Sequence, residues 1–414
     1  MTVSTRHRSR FWAIAVLMAQ GASWMPSTAS AQCTYPTAGT SFALNIVPQD
    51  GVAAPVGRYM TTIRIGGGQV RDAVVDTGSI GLVINQSGVD QALFQQSKTP
   101  AQMLYTSSMD YLWGRQVTAP VTFVQPGSTT SAIKVLGAST PVAITAVECV
   151  CKATKGGAGG KAPAVATVPT PEQCSKLDGQ TTTASGVDVT LGNCQAQEKG
   201  ATAWMGVGFG RGKNGAGVSV AENPLVHIAG DQVHQGYVIA GDAITVGLNA
   251  GTVQDYAFVP LTNNSKSGPA QWNEAQAVPV LGDAAQTTLA SGALLMDVGI
   301  DFIILNAPQA GIDQAGLTAQ ACQPVDGHYK TIVKPGTAIT VNIPDPVTGK
   351  ITASYRTVAK DACAPEGPGV VAVVIGPDSA TGPAAYNTGR SLIPHLNYAF
   401  DNQCGRLGFK AAAR

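Results

Sequence analysis

Two aspartates stand in matching surroundings in the two halves of the chain. Ala73-Val74-Val75-Asp76-Thr77-Gly78-Ser79-Ile80 carries an apolar stretch into Asp-x-Gly and leaves it through Leu82-Val83-Ile84. Ala293-Leu294-Leu295-Met296-Asp297-Val298-Gly299-Ile300 repeats the pattern loosely before Phe302-Ile303-Ile304. An acid at the end of a buried strand is costly unless it is hydrogen-bonded or has a task, and the following glycine lets the chain turn with its amides near the carboxylate. One such acid per half is the pattern of a shared site. Two carboxyls facing one another about 3 Å apart cannot both ionise, so the pair keeps one proton at neutral or acidic pH. A pair of this kind hydrolyses an amide through a held water. The ionised member takes the water's proton and the protonated member polarises the carbonyl, with no need of a metal or a covalent intermediate. A lone Asp-Thr-Gly reads as an ordinary turn at a strand end; its repetition between apolar flanks is what points to chemistry.

The elements that must position these acids are strands. Tyr59, Thr61, Ile63 and Ile65 share one face by alternation, Gly66-Gly67-Gly68 supplies a turn, and Ala73-Val74-Val75 is the return strand. Tyr237 to Ala240, Ala338 to Val341 and Val370 to Val374 continue the theme, while helical periodicity is confined to short stretches such as Gln91 to Gln96. The fold class expected is mainly β. Lys152 to Pro171 is a low-complexity run of Gly, Ala, Pro and Lys, read as an exposed loop. Its GGAGGK lacks the spacing and the hydroxyl of a phosphate loop, and Gly206 to Gly212 lacks the spacing of a dinucleotide site, so close backbone packing explains those glycines better. His227, His234, His328 and His395 sit in no zinc-hydrolase or serine-hydrolase pattern.

Composition bounds the rest. The chain has 414 residues, 44% apolar and 12% charged, with a formal net charge of +1. That is a weakly charged globular protein without the basic footprint of a nucleic-acid binder or the basic helix of a membrane-surface protein. Arg6, Arg8 and Arg10 precede the short apolar run Phe11 to Met18 and the small-residue site Ala29-Ser30-Ala31. Residues 1–31 therefore read as a signal peptide cleaved before Gln32, which predicts a secreted or periplasmic protein with no membrane anchor. The cysteines are Cys33, Cys149, Cys151, Cys174, Cys194, Cys322, Cys363 and Cys404, and an exported chain with an even number is expected to hold them as disulfides. No pair has zinc-knuckle spacing, so no metal and no cofactor is expected.

The sequence resembles the pepsin-like aspartic peptidases over most of its length. Tyr59 to Val83 looks like that family's first strand pair and catalytic loop, and Ala203 to Gly210 like the Gly-rich strand that closes the first lobe's framework. Gly236 to Gly241, Phe258 to Leu261 and Trp272 look like the crossing between lobes, and Asn387 to Phe409 like the closing segment. The resemblance implies a bilobal fold of two pseudo-twofold-related β lobes with a cleft between them. It places an N-terminal lobe at 32–250, a C-terminal lobe at 251–414, and a monomer acting on an extended peptide or unfolded protein. Asp76 and Asp297 would be the catalytic pair, supported by Thr77, Gly78, Ser79 and Gly299. Ser79 would bond the outer oxygen of Asp76, and Tyr105, ahead of Tyr111, would be the tyrosine of a flap. It further implies bridges between Cys33 and Cys404, between Cys322 and Cys363, and among Cys149, Cys151, Cys174 and Cys194. The interval from Gln32 to Tyr59 holds no lysine run to cover an acidic cleft, so no long inhibitory prosegment is expected, as in the bacterial branch of the family.

The second motif departs from the family pattern. Val298 stands where a hydroxyl residue would complete a reciprocal clamp with Thr77, and Ile300 stands where the counterpart of Ser79 would be. Asp297 is thus expected to have fewer donors than Asp76, a raised pKa, and the proton of the pair. The function expected is an exported aspartic endopeptidase. The alternative is a catalytically weak or inactive relative that binds peptides or a protein partner in its cleft.

Overall fold

The computed structural model describes residues 33–413 apart from 49–51, 53, 106–107, 130–131, 157–169, 185–186, 199–201, 211–221, 264–271, 308–311, 314, 326–328, 362, 364–369 and 377–383. The signal-peptide reading of 1–31 lies outside the described residues. The body from Tyr35 onward is mainly β, with 27 strands among the described residues, and the α-helix Gln91–Gln96 is capped by Asp90, whose side chain accepts from the amides of Ala92 and Leu93. No helix among the described residues is long and apolar enough to cross a membrane.

Strands fall into three sheets of eleven, ten and six. The first two are built on the same frame. In the first, Val70–Asp76 pairs antiparallel with Met60–Ile65 and parallel with Ala203–Val207. Ala203–Val207 also pairs antiparallel with Ile80–Asn85, which runs parallel to Val142–Lys155. In the second, Gly292–Leu295 pairs antiparallel with Gln276–Leu281 and parallel with Ala385–Asn387. Ala385–Asn387 pairs antiparallel with Ile303–Asn306, which runs parallel to Val370–Ile375. The repeat seen in the sequence is therefore a repeat of connectivity. A strand enters each acid, a strand leaves it, and a later strand is inserted between the two.

Burial explains why these strands are apolar without alternation. Ile80–Asn85 is buried at every residue and Val142–Lys155 over its first eight, as expected where both faces are covered. The insertion also demands glycine. A Cβ on Gly206 would lie 2.7 Å from the backbone of Ile80, so only a bare backbone fits between the strands. Val142–Lys155 corrects the reading of Lys152 onward as loop: Lys152 to Lys155 pair with Val189 to Gly192, and the run's last residue, Pro171, opens the 3-10 helix Pro171–Leu177, while 157–169 lie outside the described residues.

The six-stranded sheet runs Phe42–Leu44, Ala243–Leu248, His234–Ala240, Leu396–Asp401, Arg406–Ala411, Ala257–Pro260, so it draws on both ends of the chain. Asp401 is fully buried in it and accepts from Tyr35, from the Cys404 amide and from Arg406, with His234 Nε2 at 2.8 Å. Burial works against its charge, but the bonds from His234 and Cys404 hold its carboxyl below the usual range. His234 is thus a structural partner of a buried acid. Disulfides join Cys149 to Cys174, Cys151 to Cys194 and Cys322 to Cys363, and none of the described cysteines is a free thiol.

Candidate active site

Each acid sits where the strand that enters its frame gives out, with its Asp-x-Gly turn bending back over it. The Gly78 amide donates to Asp76 Oδ1 at 2.7 Å and the Gly299 amide to Asp297 Oδ1 at 2.8 Å. The two carboxyls, 6% and 7% exposed by residue, lie side by side: one point, where a Cβ on Gly299 would sit, is 2.6 Å from Asp76 Oδ1 and 3.0 Å from Asp297 Oδ1. Their glycines are exchanged: a Cβ on Gly78 would run into the Asp297 carboxyl, and one on Gly299 would lie 2.6 Å from Asp76 Oδ1. Each turn therefore forms the wall of the other half's acid, and neither glycine has room for a side chain.

Thr77 crosses between the halves. Its Oγ1 donates to the Met296 carbonyl and accepts from the Val298 amide at 2.9 Å, which fixes the second loop on both sides of Asp297. Val298 has no hydroxyl to return these bonds. Ser79 Oγ donates to Asp76 Oδ2 at 2.6 Å.

The expectation that Asp297 is short of donors is corrected by Asn387. Its Nδ2 donates to Asp297 Oδ2 at 2.7 Å, while its Oδ1 accepts from the Gly389 amide at 2.9 Å. Register explains how it gets there. Asn387 pairs with Leu295, two residues before Asp297, just as Trp204 pairs with Val74, two residues before Asp76. The inserted strand of the second frame thus delivers an amide where Ile300 cannot deliver a hydroxyl. Sequence reading passed over Asn387 because it lies far along the chain from the acid it serves.

Burial, followed by the negative charge of Asp297, pushes the Asp76 carboxyl up to about 8, against the opposing bonds from Ser79 and Gly78.

Tyr105 ends the strand Pro100–Tyr105, which forms a hairpin with Asp110–Ala119. Its ring lies 5.8 Å from that of Trp204, and its hydroxyl is close enough to Ser79 and Asp76 to feel both, though it makes no well-formed hydrogen bond. Burial raises this phenol well above its ordinary value. Tyr111, the competing candidate, is buried in a separate core and donates to Gln102.

Arg390 was also missed in the sequence. It follows the Gly389 turn, its side chain is 8% exposed, and its Nη1 donates to the Val298 carbonyl at 3.3 Å. Burial lowers its pKa, with Asp301 and Asp297 acting in the opposite direction.

No protein-family profile and no curated protein sequence matches the chain. Among solved structures, the aspartic proteinase from Irpex lacteus is similar over 91% of this chain and 98% of that one, with 12% sequence identity and a TM-score of 0.47.

Proposed function

We propose that the protein is an exported aspartic-type endopeptidase in which Asp76 and Asp297 activate a water for attack on a peptide bond. The observation that carries this reading is the close approach of two buried carboxyls, each walled in by the other half's glycine. Such a pair holds one proton between two acids, which supplies a base for the water and an acid for the carbonyl at once. Gly78, Gly299, Thr77, Ser79 and Asn387 fix the carboxyls, and the Tyr105 hairpin stands beside them as the cover for an extended peptide. A substrate of unfolded chain or peptide, a monomeric state and export through residues 1–31 belong to the same proposal; the disulfides are in keeping with an oxidising destination.

The test is hydrolysis of a denatured protein at mildly acidic pH, with and without pepstatin, whose binding is followed by calorimetry. Cleavage that pepstatin blocks, and that Asp76→Asn and Asp297→Asn each remove, is the expected result. Tight pepstatin binding without cleavage would instead favour the second reading, a peptide-binding relative disabled at the Val298 side of the clamp.

A further inference from the structure

The two acids do not face the same kind of neighbour. Around Asp297 both outer partners can only donate: the Gly299 amide on Oδ1 and the Asn387 side-chain amide on Oδ2. Asn387 cannot turn its oxygen inward without losing the bond that it accepts from the Gly389 amide. An amide N–H offers no lone pair to a carboxylic acid, so a proton on either outer position of Asp297 would break a bond. Around Asp76, the Gly78 amide takes Oδ1, but Oδ2 meets the Ser79 hydroxyl. A hydroxyl donates to a carboxylate or, after rotation, accepts from a carboxylic acid. A proton on Oδ2 of Asp76 therefore costs no hydrogen bond.

Arg390 adds a second, independent asymmetry. Its guanidinium bonds the Val298 and Val56 carbonyls, its Nε has no partner among the described residues, and Asp301, 3.7 Å away, is 61% exposed at its side chain and so is screened. A buried cation needs a buried anion, and the buried carboxyl within its electrostatic reach is Asp297. Arg58 and Tyr59 are the other titratable groups on this side; Tyr105, with Asp110 behind it, and Tyr237 face Asp76.

We propose that Asn387 and Arg390 are positioning residues that keep the negative charge of the pair on Asp297 and leave its proton on Asp76. The proposal rests on the peptidase reading for its chemical consequence. The water proton passes to Asp297 as the water oxygen bonds the carbonyl carbon, and the Asp76 proton passes to the carbonyl oxygen, giving a neutral diol. The C–N bond then breaks as Asp297 returns its proton to the nitrogen, and one diol proton goes back to Asp76. Both acids end as they began.

The test labels the aspartate carboxyl carbons with 13C and follows their titration in wild type, Asp76→Asn and Asp297→Asn. The carbon that titrates last should vanish in Asp76→Asn. Arg390→Met should move the Asp297 carbon upward by about one pH unit, with Arg390→Lys restoring most of the shift. Asn387→Ser, which can accept as well as donate, should draw the two titrations together. Should Arg390→Met fail to fold, the lysine and serine variants carry the test. A last-titrating carbon that disappears in Asp297→Asn, or titrations unmoved in the Arg390 and Asn387 variants, overturns the assignment. Hydrolysis by the same samples separates it from the peptidase reading. Cleavage with the proton on Asp297 sinks the assignment alone; the expected titrations without cleavage uphold the assignment and sink the peptidase. In active samples Arg390→Met should also raise the acid limb of the kcat/KM–pH profile, whereas a merely structural loss would lower the rate without moving the limb.

Discussion

Asp76 keeps its proton in the folded chain to about pH 8, while an unfolded chain releases it near pH 4. Between those values the folded state binds the extra proton, so its stabilising contribution is whole below the unfolded value and is lost as pH rises through the folded one. Asp76→Asn removes this linkage. Its melting temperature is expected to exceed that of wild type at pH 8, with the gap closing toward pH 4; parallel melting curves across that range would show that Asp76 ionises freely. Hydrolysis should fall by about 10²–10⁴-fold in Asp76→Asn and in Asp297→Asn alike, since each removes one partner of the proton exchange. Gly299→Ala is a steric counterpart: its methyl would press on Asp76, costing about 1–3 kcal/mol in chemical denaturation and removing activity with both acids still present. At this scale the sequence exposed what is contiguous. Asp76, Gly78 and Ser79 act on one another within a few residues, and the second copy was legible by comparison with the first. Asn387 and Arg390 were not, because what brings them to Asp297 is the register of an inserted strand, which no spacing along the chain encodes.

Among the elements, the hairpin from Pro100 to Ala119 bears most directly on the proposed peptidase activity. Tyr105 ends its first strand with a ring against Trp204 and a hydroxyl lacking a well-formed bond. Tyr105→Phe should therefore leave the melting temperature unchanged or raise it, because deleting an unsatisfied buried hydroxyl removes a cost of about 1–3 kcal/mol. Tyr105→Ala should lower kcat/KM on a peptide substrate far more than it lowers stability. A large drop in melting temperature with normal turnover would make the ring a core residue instead. The strands themselves could be read from alternation and apolar runs, and Gln91–Gln96 from its brief helical period. The strand Val142–Lys155 could not be followed to its end, since Lys152 to Lys155 carry no apolar signal and are held by pairing with a distant partner.

For the molecule as a whole, the bridges divide by exposure. Cys149, Cys151, Cys174 and Cys194 are buried in one core with Tyr111 and Trp113, whereas Cys322 and Cys363 are exposed. Graded reduction followed by alkylation should label Cys322 and Cys363 first, and loss of the buried pairs should come only with unfolding, each native bridge contributing about 2–5 kcal/mol. Early labelling of Cys149 or Cys151 would contradict the burial. The six-stranded sheet carries a further consequence. Leu396–Asp401 lies in its interior, between His234–Ala240 and Arg406–Ala411, although it follows His234–Ala240 only far along the chain. Until it arrives, His234–Ala240 presents an open edge, Tyr237 and Ile239 lack their partners Phe400 and Tyr398, and Asp401 is not there to meet His234. A nascent chain that has not yet made Leu396–Asp401 leaves that edge bare, at the hazard of pairing it with another copy.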